Sequence, residues 1–173
     1  MMNVIIRTEK LEDYASVYEI NKLAFNRNEE ANMVNELRSC ESFIPELSLV
    51  AELNGEIVGH ILFTKVKISD NTDFHQSLSL APVCVKPEHQ KKHIGARLIL
   101  SGLDKAKELG FQSVIVLGND KYYPKFGFEP AKKWNIFPPF EVPSSYFMAR
   151  ELQKNALKKV KGVVLYPEPF TRV

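Results

Sequence analysis

Apolar and polar positions along the chain fall into short periodic runs. Val4 to Arg7 is apolar and extended, and predicts a first strand. Asp13 stands at an N-cap position. Val17, Ile20 and Ala24 follow at helical spacing, which predicts a helix over Tyr14 to Phe25. After the polar break Asn26-Arg27-Asn28, Ala31, Val34 and Leu37 share one face of a second helix. Ser48 to Leu53 reads as a strand, Asn54-Gly55 as a two-residue hairpin turn, and Glu56 to Ile68 as the returning strand. Its later part, Thr64 to Ile68, alternates with period two, so one of its faces is buried and the other wet.

Asp70 to His75 is polar and predicts a loop. Leu78 to Val85 is a strand apolar on both faces, and Pro87 stops it. The basic loop His89-Gln90-Lys91-Lys92-His93 then opens an amphipathic helix. Its stripe is Ile94, Leu98, Gly102, Leu103, Ala106 and Leu109, with Gly110 at the C′ position. Val114 to Leu117 is continuously apolar, as a parallel strand covered on both sides is. A short helix is expected from about Lys121 to Phe126, with a strand beginning at Phe128. Ile136 to Ser145, rich in Pro and Phe, reads as a structured loop. Phe147 to Leu152 and Gly162 to Tyr166 predict two last strands. The order is βααββ, then βαβ, then αβ with a tail. Hairpins at one end and a parallel crossover at the other predict an α/β chain with a mixed sheet and helices on both faces.

Composition narrows the function classes. The chain has 173 residues, 45% apolar and 25% charged, as an ordinary globular domain has. A formal charge of +2 gives no argument for nucleic acid or an anionic membrane as partner. No apolar run reaches the ~20 residues that a membrane span needs. The start, MMNVIIRTEKLEDY, lacks the layout of a secretory signal, so a cytoplasmic, unexported protein is expected. Cys40 and Cys84 are isolated, and His60, His75, His89 and His93 do not join them at any zinc-ligand spacing, so no metal is expected.

The candidate chemistry centres on Val83 to Leu98. A buried strand delivers the chain to a turn, and the turn opens the best helix in the sequence. The first N–H groups of that helix have no intrahelical partner and sit at the positive end of its dipole, where a diphosphate fits. Gly95 allows close approach of the backbone, and Lys91, Lys92 and Arg97 add positive charge. Spacing alone equally allows a solvated basic loop before an ordinary helix. No Gly-Lys-Ser/Thr closes it as a nucleotide P-loop, and the three-glycine dinucleotide fingerprint is absent.

The stretch resembles motif A of the GNAT superfamily of N-acyltransferases, Gln/Arg-x-x-Gly-x-Gly/Ala. Gln90, Lys91, Lys92, His93, Ile94 and Gly95 fill it, with Val85-x-Pro87 before and Ala96 and Leu98 after. His93 stands where the family usually has glycine, and the loop accepts a side chain there if the residue keeps a negative φ. Leu117 to Ala131, with Tyr122-Tyr123-Pro124-Lys125-Phe126-Gly127-Phe128 at its centre, is similar to the YhbS-like branch. So are the tail segments Phe147 to Leu152 and Gly162 to Tyr166, and Ala24-Phe25 with Glu30-Ala31. The resemblance spans nearly the whole chain. It implies one GNAT-like acyl-CoA N-acyltransferase domain over 1–173, with a core of about 3–131 and a C-terminal extension, 132–173, packed on it.

By that resemblance a neutral amine attacks the thioester of acetyl-CoA directly. The pantetheine arm lies in a splay between the strands Leu78–Val85 and Val114–Leu117, held by the backbone of Val83, Cys84 and Val85. A backbone N–H beyond Pro82, which has none, stabilises the oxyanion. Gln90, Lys91, Lys92, His93, Ile94, Gly95 and Ala96 cradle the diphosphate. Tyr123 takes the place of the family's acid tyrosine, with a packing aromatic as the alternative. Tyr122 is expected to pack. Asn119 either bonds the pantetheine arm or caps a helix.

No carboxylate on the strand Leu78–Val85 offers itself as base. Glu30 is a candidate, against a solvated helix glutamate. His60, expected on the face of Val58 and Leu62, reads as a satisfied core histidine, and waters are a further proton route. An acyl-cysteine at Cys84 is disfavoured, with no base nearby in sequence. Trp134, Phe137 and Phe140 either wall an acceptor pocket or pack beneath their loop. The resulting expectation is an N-acetyltransferase acting on a small-molecule or peptide amine. The alternative is a non-catalytic acyl-CoA-binding module. A homodimer is allowed, and no nucleic acid or membrane partner is expected.

Overall fold

The computed structural model describes residues 3–173. Its strands form one twisted sheet. In chain order they are β1 Val4–Thr8, β2 Phe43–Leu53, β3 Glu56–Ser69, β4 Phe74–Val85, β5 Ser113–Leu117, β6 Glu129–Pro130, β7 Ile136–Phe137, β8 Phe147–Glu151 and β9 Gly162–Leu165. The helices are α1 Tyr14–Phe25, α2 Glu29–Leu37 and α3 Ile94–Glu108. Strand order is β1-β2-β3-β4-β5-β8-β6, with β9 joining the far end of β3 and β7 joining β9. All pairings are antiparallel except β4 with β5 and β7 with β9.

The hairpin forms where Asn54 and Gly55 both take positive φ, 52° and 82°, the geometry of a type I′ turn. Thr64, Val66 and Ile68 are buried while Lys67 is exposed, as the period-two run requires. The strands Phe43–Leu53 and Phe74–Val85 both begin about four or five residues earlier than their apolar runs suggest, because neighbouring strands already pair there. Helix α3 lies on one face of the sheet, its Ile94, Leu98, Ile99, Leu103 and Ala106 packing with Ile61, Phe63, Leu78, Val114 and Val116. A Cβ at Gly102 would stand 2.1 Å from the Phe63 ring, so this glycine sets how closely α3 approaches the sheet. Helices α1 and α2 cover the other face, on Val50, Leu62 and Cys84. No helix among the described residues is long and apolar enough to cross a membrane.

Three sequence expectations change here. Asp13 does not cap α1. Its carboxylate takes Arg7 at 2.7 and 3.1 Å and the Lys10 N–H at 2.7 Å, closing a 3-10 turn just before the helix. Val58 does not share a face with His60. The register slips between Ala51 and Glu52, which sends Val58 to the α3 side and leaves His60 opposite Cys84 under α1. The short helix expected over Lys121 to Phe126 is a 3-10 turn, Tyr123–Phe126, because Pro124 at its second position and Gly127 at its end leave no room for an α-helical turn.

His60 is fully buried and fully bonded. Ser48 Oγ donates to Glu9 Oε2 at 2.6 Å, so it accepts from His60 Nε2 at 3.0 Å. The Nδ1 atom then accepts from the Asn21 amide at 3.4 Å, which makes the ring the neutral Nε2–H tautomer. Arg38 closes the chain on Glu9 at 2.9 Å. Burial pushes the imidazole pKa down from 6.5 to about 4. The unfolded chain therefore binds this proton first as pH falls. The stabilising contribution is whole above pH 6.5 and shrinks as pH falls toward about 4, by roughly 3 kcal/mol. Urea midpoints should fall steeply across that window in the native chain and more gently in His60→Gln. Parallel curves would refute the assignment.

Candidate active site

Strands β4 and β5 pair only at Leu78–Val114 and Ser79–Ile115. Beyond Ser79 they part. Ala81 and Pro82, joined by a cis peptide bond, fall in a bulge of β4 where its register against β3 shifts between Ile61 and Phe63. Past the bulge, the Lys86 N–H donates to the Val58 carbonyl at 2.8 Å. Strand alternation then turns the Cys84 backbone toward β3 as well, and turns Val83 and Val85 toward the gap. The carbonyl of Val85 is already taken by the Gln90 side chain at 3.0 Å. Of the three strand residues singled out, Val83 presents both N–H and carbonyl to the cleft, Val85 its N–H, and Cys84 neither.

The loop after β4 folds back through that Gln90 contact and enters α3. Lys91 and His93 both adopt left-handed φ, 63° and 64°. The condition set for a side chain at His93, a negative φ, is therefore not met. The turn needs a left-handed residue at the family's glycine position, and the side chain is tolerated because it points into solvent. That conformation costs a non-glycine residue about 1 kcal/mol. The first α3 amides, at Ile94, Gly95 and Ala96, precede the first intrahelical bond, from the Arg97 N–H to the His93 carbonyl at 3.1 Å. A Cβ on Gly95 would meet nothing closer than the Tyr122 hydroxyl, 3.6 Å away. Protein packing thus leaves the space beside Gly95 free, and Tyr122, expected only to pack, puts its hydroxyl at the edge of that space. Lys91 and Lys92 are exposed beside it.

Tyr123 reaches the cleft from the far side of β5. Its ring packs edge-on to Tyr122 and Phe128 at 5.2 and 5.7 Å. A Cβ on Gly118 would lie 2.3 Å from the ring, so the bare backbone at Gly118 is what admits the tyrosine. Among the described residues the hydroxyl has no hydrogen-bond partner, and burial pushes its pKa up to about 12. Asn119 is exposed. Its Oδ1 accepts the Lys121 N–H at 2.8 Å and its carbonyl accepts the N–H groups of Tyr122 and Tyr123, so it caps the turn that carries Tyr123.

A cavity of about 800 Å³ joins the β4 side of the strand gap to Tyr123; the α3 N-terminus does not line it. Ser79 to Val83, Leu117 and Tyr123 form its inner end. Its outer end is walled by Phe25, Arg27, Glu30 and Met33 from α1, α2 and their link, and by Phe140, β9 and the C-terminal segment through Val173. Glu30 faces this cavity rather than open solvent, and Arg27 engages both its oxygens at 2.9 and 2.5 Å. Cys84 is closed to nucleophilic chemistry: burial pushes its thiol up to about 12, and both nitrogens of its neighbour His60 are occupied. Phe140 lines the cavity, Trp134 packs against the core under β8 and β9, and Phe137 is exposed beside β9. Gly118 and Tyr166 fell inside segments of family resemblance without being singled out, and Phe170 carried no sequence signal. Each acts through a tertiary contact that no local pattern records.

Comparison with known proteins agrees with this geometry. The sequence model of the acetyltransferase (GNAT) family matches residues 14–128. The N-acetyltransferase YjhQ of Escherichia coli is 38% identical over 135 residues, covering 78% of this chain and 75% of its own. A crystal structure of the GNAT N-acetyltransferase YhbS of Escherichia coli in complex with CoA superposes with a TM-score of 0.92 at 28% identity, covering 99% of this chain and 94% of that one. A GNAT acetyltransferase of Brucella melitensis in complex with acetyl-CoA gives 0.79 at 28% identity, over 98% and 99%. With its splayed parallel pair and a family match over well over half its length, the chain belongs to the acetyltransferase (GNAT) family.

Proposed function

We propose that this protein transfers an acetyl group from acetyl-CoA to a primary amine by direct attack, with Tyr123 as the general acid. The observation that carries the reading is one cavity shared by the unpaired Val83 backbone and the buried Tyr123 phenol. The similarity to the CoA complex of YhbS supports the choice of donor. The activity belongs in the cytoplasm, where acetyl-CoA and free amines meet.

The residues present fit the donor. The amides of Ile94, Gly95 and Ala96, with Lys91 and Lys92 nearby, hold the diphosphate. Gln90 and His93 shape the loop that aims those amides. The exposed Val83 and Val85 edge pairs with the pantetheine arm as a neighbouring strand would, while Cys84 holds that edge in register against β3. Asn119 acts on the donor only through the turn that it caps. Bound acetyl-CoA supplies the acetyl group as a thioester. Negative charge gathers on the carbonyl oxygen as the amine nitrogen attacks, and the Val83 or Val85 N–H faces it. The C–S bond then breaks, and Tyr123 gives its proton to the departing sulfur. The amine releases its own proton to water, and solvent returns one to the phenolate.

A phenol raised to about 12 is a weak acid beside a thiol of pKa ~8.5. The same burial acts on the sulfur. In a cavity poor in water the thiolate also loses hydration, so its own proton affinity rises and the mismatch narrows.

Substitution Tyr123→Phe should lower kcat at least about tenfold and leave the Kd for acetyl-CoA within about twofold. Unchanged turnover would remove the acid. Burial holds Tyr123 protonated, so kcat/KM should keep rising to about pH 10 as the alkyl amine acceptor deprotonates. A falling limb below that would point to another acid. Substitution Gly95→Asp places a carboxylate at the helix N-terminus, where it should hold or raise Tm. The same charge should weaken acetyl-CoA binding at least about tenfold, read by calorimetry. Unchanged binding would remove the diphosphate from α3.

A further inference from the structure

The outer end of the cavity has a specific chemistry. Phe140 stacks on Tyr166 with ring centres 6.2 Å apart at 29°, and Tyr166 meets Phe170 at 5.1 Å and 41°. These rings come from two segments, the loop carrying Phe140 and the C-terminal stretch carrying Tyr166 and Phe170, and form one continuous wall. Tyr166 has no hydrogen-bond partner among the described residues, and burial raises its pKa, so it stays an uncharged phenol. Phe25 and Met33 stand on the α1 and α2 side. The space between is apolar and suited to a flat or alkyl body.

Charge at this end is sparse and already matched. Among the described residues lining the cavity, Arg27 and Glu30 carry the only charged side chains. Arg27 gives two hydrogen bonds to Glu30 and lies 4.0 Å from Glu29, so its cation faces two carboxylates. An acceptor bearing a carboxylate or phosphate meets no unmatched cation here and must shed its water without compensation. A polyamine brings several cations, and Glu30, already engaged, is the one carboxylate side chain among the described lining residues. A monocationic amine finds one carboxylate side chain, Glu30, on the cavity wall, and it loses its proton before attack.

We infer that the acceptor is a small primary amine with one apolar, preferably aromatic, body and no acidic group, seated against the Phe140–Tyr166–Phe170 wall. This rests on the acetyl-transfer reading above and adds the substrate class to it.

The test measures CoA release by thiol titration, with acetyl-CoA fixed and a panel of acceptors: tryptamine, 2-phenylethylamine, ethylamine, phenylalanine, spermidine and a short peptide with a free N-terminus. Tryptamine and 2-phenylethylamine should exceed phenylalanine and spermidine in kcat/KM by at least about tenfold. In Phe140→Ala, whose ring is 44% exposed and little needed for folding, the ratio of kcat/KM for tryptamine over ethylamine should drop about tenfold, mainly through KM. Tyr166→Leu should lower the same ratio from a second segment of the wall. Higher rates with phenylalanine, spermidine or the peptide would overturn the substrate class while leaving acetyl transfer intact. So would a ratio unmoved by both substitutions. Acetyl-CoA binding with no CoA release from any acceptor would overturn the acetyl-transfer reading itself, and this inference with it.

Discussion

Strands β4 and β5 stop pairing after Ser79 and Ile115, yet both stay largely enclosed in the fold. A buried strand edge that loses its neighbour leaves amides and carbonyls without partners, a cost that a free-standing sheet avoids by closing the gap. Here the gap cannot close. The bulge at Ala81–Pro82 turns β4 away, and Tyr123 stands at the mouth on the β5 side. β8 pairs along the whole of β5 from Ser113 to Leu117, so β5 is anchored on its other edge. Much of the remaining architecture follows from holding these two strands apart. Helix α3 spans the crossover between them, and its N-terminus opens beside the end of β4. A ligand that enters the gap can thus meet a strand edge and a helix dipole together.

The same constraint sets the character of the candidate acid. Tyr123 enters a crowded place only because Gly118 has no side chain, and its crowding is what removes water from the hydroxyl. Burial raises the phenol, keeping its proton in place, and weakens it as a donor in equal measure. Such a residue works as an acid only beside a base desolvated by the same walls. The acid and the cleft are therefore one design. Opening the cavity to water would strengthen Tyr123 as an acid in bulk terms and weaken it against this leaving group.

The helices, the hairpin and the parallel crossover were legible because each rests on a local rule. Asn54-Gly55 allows a type I′ turn, and the stripe from Ile94 to Ala106 fits only a helix. The loop leading into α3 was legible in position and not in conformation. Nothing local says that the residue at His93 must be left-handed, because that follows from how Gln90 ties the loop to the Val85 carbonyl. Val58 was assigned to the wrong face for a similar reason. A bulge shifts the side-chain period by one, and it is decided by the partner strand. Asp13 looked like a cap until Arg7, six positions earlier, supplied a stronger partner. The acceptor wall was the least visible part. Phe140 lies 26 positions before Tyr166, and no shared motif links it to Tyr166 and Phe170.

That wall also explains why the C-terminal segment belongs to the site. After β9 the chain makes a 3-10 turn at Glu168–Arg172 and runs back across the outer cavity, where Phe170 meets Tyr166 and Arg172 pairs with Glu36 of α2. Arg172 is half exposed, so this ion pair contributes little to overall stability. Its effect is on position. It ties the segment carrying Phe170 to the helix carrying Glu30, so the aromatic side and the charged side of the cavity are referenced to each other and not only to the sheet. Under the proposed acceptor class, an amine that touches both sides would read the spacing between β9 and α2. On the proposed reading, acceptor choice rests on how the segment from Tyr166 to Arg172 docks on α2, while the transfer step belongs to the strand gap that the sheet itself maintains.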